Sequence, residues 1–356
     1  VVIGIEPTAC DTEAVQAWRR SKSMRSTIGG FAVCGLMFFI LPSPAASPLA
    51  PLGTIDVQGG MLEPEDLSAV VKLGQLLVIG SDETRAIQVL VPVGTDAYRA
   101  EPPVRLMSGE ADQTAEEFDI EAMALHGSTL YVTGSHCSTR GKVGGKKASH
   151  AKNLRELAEV KRRPERERLF RVELDPSSGR PTRVECKSLH DVINDDPVLQ
   201  RFVAVPSKEN GVDIEGLAVD PSGTLLYVGF RGPVLQGEFV PVLRLPFEHL
   251  KQYEMLFLKL DGYGIRELTC VEGGFLVIAG PAGEMEVPGR LYFWDGKDCL
   301  PDKKQASKPV LLAEIPGPGK PEGLAVLRED SSAWEVIVAY DGVPNGGMRR
   351  FRVAKP

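Results

Sequence analysis

The chain has no GxSxG, no CxxC and, after residue 41, no apolar run of membrane-spanning length. The first absence removes the nucleophile elbow of the α/β-hydrolases. The second removes the usual spacing of a structural zinc site. The third leaves no segment beyond the N-terminus able to cross a bilayer as a helix. Positive charge is also in short supply, with 41 Lys and Arg against 48 Asp and Glu and a formal net charge of −7. That balance favours solubility and argues against a nucleic-acid partner. Cysteine is sparse, at six residues.

What the N-terminus does carry is an export pattern. Arg19, Arg20, Lys22 and Arg25 are followed by an apolar stretch, Ile28 to Leu41, and by small residues at Ser43-Pro-Ala45. A basic region, a short apolar core and a small-residue cleavage site make up a signal peptide. Residues 1–47 are therefore expected to be a signal peptide with an upstream extension, and Met24 is an alternative start. The expected location is periplasmic or secreted, with no stable membrane anchor after cleavage. Residues 48–356 are expected to form one domain, long enough to bury a large core. Four cysteines fall within it, and an even number in an exported chain points to disulfides. The pairs Cys137–Cys186 and Cys270–Cys299 each lie within one repeat of the pattern described next.

A short phrase recurs five times, each time opening an apolar strand. The copies are Asp66-Leu-Ser68-Ala-Val70, Asp119-Ile-Glu121-Ala-Met123, Asp213-Ile-Glu215-Gly-Leu217, Ile265-Arg-Glu267-Leu-Thr269 and Pro321-Glu322-Gly-Leu324. A turn and a second apolar strand follow each: 76–80, 130–134, 225–230, 275–280 and 336–340. A unit of short strands repeating about every fifty residues, in a chain rich in Gly and Pro, is the pattern of a β-propeller. The expected fold is all-β, with five four-stranded blades, six being the alternative. The interval between Glu121 and Glu215 is longer than the others. It is assigned to a basic insertion at 140–168, with a helix over 153–163, and not to a sixth blade. A second helical segment is expected over 189–202. The last unit is one strand short, so the strand near Thr54–Val57 is expected to complete it and close the ring.

Antiparallel pairing puts the start of each first strand beside the end of the second, on one face of the disc. Glu121, Glu215, Glu267 and Glu322 are then expected around one mouth, near Asp82, His136, Arg231, Tyr340 and Asp341. So many like charges need partners. One reading gives the glutamates a divalent cation, calcium by the preference of hard ions for oxygen. The other makes them scaffolding, paired with Arg231 and Arg266. Arg231, in Gly229-Phe-Arg-Gly-Pro233, is also placed to clamp a small anionic ligand. His136 and Glu215 are the acid/base candidates.

The Asp213-to-Ala218 phrase with the Gly-Phe-Arg-Gly-Pro loop, Gly264-Ile-Arg-Glu-Leu268 and Pro321-Glu-Gly-Leu-Ala325 resemble the bacterial family known only as domain of unknown function 3616. The resemblance covers nearly all of residues 48–356 and implies a propeller without an assigned activity. More distantly, the chain is similar to the esterase-like phytase propellers and to the gluconolactonase and regucalcin group, whose metal sits on the axis. Neither pattern is complete enough here to carry over catalytic residues, because a shared fold does not transfer function. Two functions are expected: binding of a ligand or a protein partner at the glutamate-lined face, or metal-dependent hydrolysis of a phosphoester, ester or lactone.

Overall fold

The computed structural model describes residues 49–107, 117–145, 148–301 and 306–356. The expected signal segment, and Lys146 and Lys147 of the insertion, lie outside the described residues. The described strands build five blades. Strands β1 (Ala50–Thr54) and β2 (Asp56–Gln58) come first. Blade 1 follows with β3 (Leu67–Leu73), β4 (Leu76–Ser81), β5 (Ala86–Pro92) and β6 (Ala97–Ala100), and a two-residue strand β7 (Val104–Arg105) pairs with β5. Blade 2 contains β8 (Ile120–His126) and β9 (Thr129–Gly134). Its chain then leaves the sheet through β10 (Ser138–Arg140), α1 (His150–Ala158) and β11 (Val160–Arg162), and returns as β12 (Leu169–Leu174) and β13 (Pro181–Lys187). Helix α2 (His190–Asp195) leads to blade 3, made of β14 (Asp213–Val219), β15 (Leu226–Gly232), β16 (Phe239–Leu245) and β17 (Glu254–Lys259). Blade 4 is β18 (Gly264–Val271), β19 (Gly274–Gly280), β20 (Gly289–Trp294) and β21 (Val310–Ile315), and blade 5 adds β22 (Lys320–Glu329), β23 (Ala333–Asp341) and β24 (Arg349–Ala354).

The innermost strands β3, β8, β14, β18 and β22 touch in cyclic order, with β22 against β3. The ring is therefore closed with five blades. The long interval after Glu121 is the insertion, in which β10 and β11 pair as a two-stranded ribbon carrying α1. Closure differs from expectation in one respect. β1 pairs antiparallel with β24 and completes blade 5, whereas β2, which includes Val57, pairs parallel with β6 as a fifth strand of blade 1. A bulge at Pro51/Gly53 bends β1, and Ile55 donates its N–H to Met348 O between the two blades. Only the part before residue 55 thus closes the last sheet.

Both expected helices are shifted or shortened. Ser149 caps α1 through its hydroxyl, which accepts from Lys152 N, so the helix begins at His150 and Val160 falls in β11. The 189–202 segment is α2 followed by a turn at Leu199–Arg201, and its Val192, Ile193 and Leu199 join the core shared with blade 3.

Small residues set how closely blades approach. A Cβ on Gly216 would stand 2.6 Å from Ile265 Cγ2 of the next blade, and one on Gly323 would stand 3.1 Å from Val70 Cγ1. Large side chains then fill the wedge further out, as where Tyr227, Phe275 and Trp294 meet with centroids 4.6 and 5.1 Å apart between blades 3 and 4. Burying each such side chain contributes about 1.5–3 kcal/mol.

Candidate functional site

Each innermost strand opens with a β-bulge. The register breaks between Leu67 and Ala69, Ile120 and Ala122, Ile214 and Gly216, Ile265 and Glu267, and Pro321 and Gly323. The skipped residues are Ser68, Glu121, Glu215, Arg266 and Glu322. A bulge re-aims the side chain it frees, and here all five converge on one end of the disc. At the ends of the second strands, Asp82, Ser135, Arg231, Gly280 and Asp341 hold matching positions.

This register corrects the expected site. Arg266, not Glu267, is the blade 4 member of the ring. Glu267 lies one residue further on, in the slot held by Ala69, Ala122, Gly216 and Gly323. It is 1% exposed, accepts Leu268 N at 2.7 Å on Oε1, and has no partner for Oε2 among the described residues. Burial pushes its carboxyl well above the usual range, and no neighbouring charge contributes to that shift. It therefore does not belong to the charged cluster.

The ring is neutralised on one side only. Arg266 Nη1 lies 2.6 Å from Glu322 Oε1 and 3.2 Å from Glu215 Oε2, and its Nη2 donates to Pro281 O at 3.3 Å. Its neighbour Gly280 makes this possible, since a Cβ there would come within 3.1 Å of Arg266 Cγ and Nε. Arg231 Nη1 pairs with Glu215 Oε1 at 2.5 Å and lies 3.5 Å from Asp213 Oδ2, while Nε donates to Ala282 O. Both guanidiniums are thus held by carboxylates and carbonyls of blades 3 to 5. Asp341 is 3.0 Å from Lys320 Nζ, at the outer part of the mouth.

Blades 1 and 2 offer far less positive charge. Arg166, returning from the insertion, holds Asp119 at 2.8 Å and Glu117 at 2.6 Å. Ser68 donates its hydroxyl to Ile120 O of the next blade. Asp82 Oδ1 is buried without a partner among the described residues, and Glu121 is half-buried near Asp119, Asp213 and Glu215. Burial, then the charges of Asp119, Glu215, Asp213 and Asp82, raise the Glu121 carboxyl well above its usual range. Asp82 is pushed up to about 8 by burial and then by Asp119, Glu322, Asp341 and Asp66. Glu322 is raised to about 7, chiefly by burial and against the pull of Arg266.

One group in this region meets the geometric demand of a cation. Oxygens of Glu121, Asp213 and Glu215 all lie within 4.8 Å of one another. Ligands around calcium sit at about 2.3–2.6 Å from the ion, so oxygens of one coordination sphere reach about twice that separation at most. Carboxylates are the donors a hard cation prefers. Asp213 was not singled out from the sequence, although Asp-Ile-Glu occurs twice, at 119–121 and 213–215, which is the signal that would have marked Asp119 and Asp213.

The remaining candidates stand apart. His136 is buried, with Nδ1 3.0 Å from Gly134 O and Nε2 accepting Leu189 N at 3.1 Å, and burial lowers it to about 4. It is a neutral structural histidine. Tyr340 is buried in the core and donates to Pro316 O. All four cysteines in the described residues are free, so neither expected disulfide is formed. Cys137 is buried next to Ser135 Oγ, whereas Cys186 lies on the outermost strand opposite Phe170. Cys270 is on an innermost strand, and Cys299 is fixed in a loop by its N–H to Phe257 O of blade 3.

Residues 66–351 match the family described as "Protein of unknown function (DUF3616)". No curated protein matches this sequence closely enough to count as a relative. Among solved structures, the chain is similar to the glutaminyl cyclase of Myxococcus xanthus at 11% identity and a TM-score of 0.44, over 87% of this chain and 100% of that one. It is also similar to Sqt1 of Saccharomyces cerevisiae, at 8% identity and 0.33 over 87% and 100%. A hypothetical protein from Leishmania major matches at 9% and 0.41, over 88% of this chain and 91% of that one.

Proposed function

The chain belongs to the DUF3616 family, and since membership brings no activity, we propose from the geometry that this propeller binds a divalent cation at Glu121, Asp213 and Glu215, calcium by ligand type, and presents it to a ligand at the disc face. The observation that carries this is the convergence of three carboxylates within 4.8 Å of one another, of which Asp213 and Glu215 also face Arg231. Burial first, and the neighbouring carboxylates second, raise the Glu121 and Asp213 carboxyls, and a bound cation would offset both costs. The N-terminal export pattern fits a calcium-replete compartment, and a periplasmic or secreted location is part of the proposal.

Binding is favoured over hydrolysis. His136 has both ring nitrogens engaged by the backbone, and Arg231 is held by Glu215, Asp213 and Ala282. Neither is free to move a proton or clamp a leaving group. The test is calorimetric titration of chelator-treated protein with calcium chloride. One ion per chain is expected, lost in Glu121→Gln and kept in Glu267→Gln, which changes a glutamate outside the ring. Absence of binding by the unaltered protein, or unchanged binding by Glu121→Gln, overturns the proposal.

A further inference from the structure

Helix α1 wears its amphipathic character inside out. Successive helical residues turn by about 100°, so Ala151, Leu154, Leu157 and Ala158 share one face and Asn153 and Glu156 lie on another. In a helix packed on a core, the apolar face turns inward. Here Asn153 turns inward: its Nδ2 donates to Gly144 O at 3.2 Å, and its Oδ1 accepts Gly144 N at 2.9 Å. Glu156 lies over Gly141, where a Cβ would meet its carboxylate. Arg140, ion-paired with Glu209, anchors the helix end by donating to Leu157 O. The leucines are left in solvent, with Leu154 58% and Leu157 49% exposed, and Val143 and Val160 beside them at 53% and 37%.

No residue of α1 is buried. The helix is carried on the β10–β11 ribbon, which is itself tied to the segment before blade 3 through Ser138 and Arg140. Lys142, Lys152 and Arg155 are exposed on the insertion, whereas Lys161 is paired with Glu159 and Glu156 is turned over Gly141, in a chain of net negative charge. A helix with exposed leucines and a basic border matches a surface that is apolar below and anionic above. A second copy of the same helix would oppose Lys152 and Arg155 with their own like charges. A folded protein would need an apolar groove of matching shape with an acidic rim. An anionic lipid layer meets both demands without a fixed shape.

We propose that α1 docks this protein peripherally on anionic membranes, inserting Leu154 and Leu157 at the headgroup level with Lys142, Lys152 and Arg155 against the lipid phosphates. This surface is independent of the axial carboxylates. It is also distinct from a spanning anchor, since no described helix is long and apolar enough to cross a membrane.

The test uses residues 46–356, the compact unit that holds every described strand, so that the apolar stretch at 28–41 does not itself bind lipid. The probe is co-sedimentation with vesicles of phosphatidylcholine, alone or mixed with phosphatidylglycerol, at low salt. Binding is expected only to the mixed vesicles. Leu154→Ser with Leu157→Ser should abolish it, and Lys152→Gln with Arg155→Gln should weaken it about thirtyfold, the loss expected for two surface charges. These residues are exposed, and unchanged thermal unfolding of the variants will show that the disc is intact. If the unaltered protein stays in the supernatant with anionic vesicles, or the leucine variant binds as well as it does, the docking proposal fails.

Discussion

Arg266 of blade 4 donates to Glu322 of blade 5 at 2.6 Å while its Nη1 also lies 3.2 Å from Glu215 of blade 3. One guanidinium therefore ties three consecutive blades at the axis. It does so from a buried position, at 6% exposure, where losing one partner of an ion pair strands the other.

Replacing Arg266 with Met should accordingly destabilise the fold by about 3–5 kcal/mol, the usual cost of leaving a buried charge uncompensated. Adding Glu322→Met to that variant should restore most of the loss, because the apolar pair no longer strands a carboxylate. Urea denaturation of both variants and of the single Glu322→Met change gives the coupling directly. Additive effects of the two changes would show that the pair is not coupled.

Stability should fall as pH rises in the absence of a divalent cation. Asp82 is raised to about 8 and Glu322 to about 7 in the folded protein, against ordinary values near 3.8 and 4.5. Between those limits the folded chain holds protons that the unfolded chain has released, and unfolding is favoured by each further rise in pH. In chelator, the melting temperature is expected to be lower at pH 8 than at pH 5. Calcium should raise it more at pH 8 than at pH 5, since the ligands of the proposed site must ionise to bind. A melting temperature that rises with pH in chelator would contradict the raised carboxyls.

The closing strand should matter more than its five residues suggest. Removing residues 49–54 takes away β1, the buried Leu49 side chain and the ladder to β24. The freed edge of β24 is then open to pairing with another chain. Size-exclusion chromatography of the truncated protein should show self-association and calorimetry a lower melting temperature. A monomer of unchanged stability would mean that β24 ends the sheet adequately alone.

Much of the fold was legible because each blade begins with the same kind of strand pair, and a turn of small residues separates its members. The site was legible in outline but not in register. Aligning the copies on their glutamates selects Glu267. Aligning them on the apolar residue before the bulge (Leu67, Ile120, Ile214, Ile265, Pro321) selects Arg266, and that is the alignment the hydrogen-bond ladder follows. The letter Glu occurs in either phase, whereas an apolar residue at the bulge is required by packing between blades. Cysteine pairing was not legible at all, since distances across a blade depend on where the second and fourth strands lie, and sequence proximity says little about that. The inverted helix was hidden for a similar reason: Leu154, Leu157 and Val160 form the spacing of a packed helix, and only the Asn153 bonds to Gly144 reveal that the face is turned away.

The seam of the disc constrains how such a chain can change. Segments 50–54 and 56–58 straddle the junction between the last sheet and the first, and Arg350 near the C-terminus pairs with Asp96 of blade 1. Residues inserted between Thr54 and Asp56 would act on both sheets at once, because the two paired segments are separated by Ile55 alone. The stretch from Ser138 to Arg168, by contrast, leaves and re-enters a sheet within one blade and leaves the seam untouched.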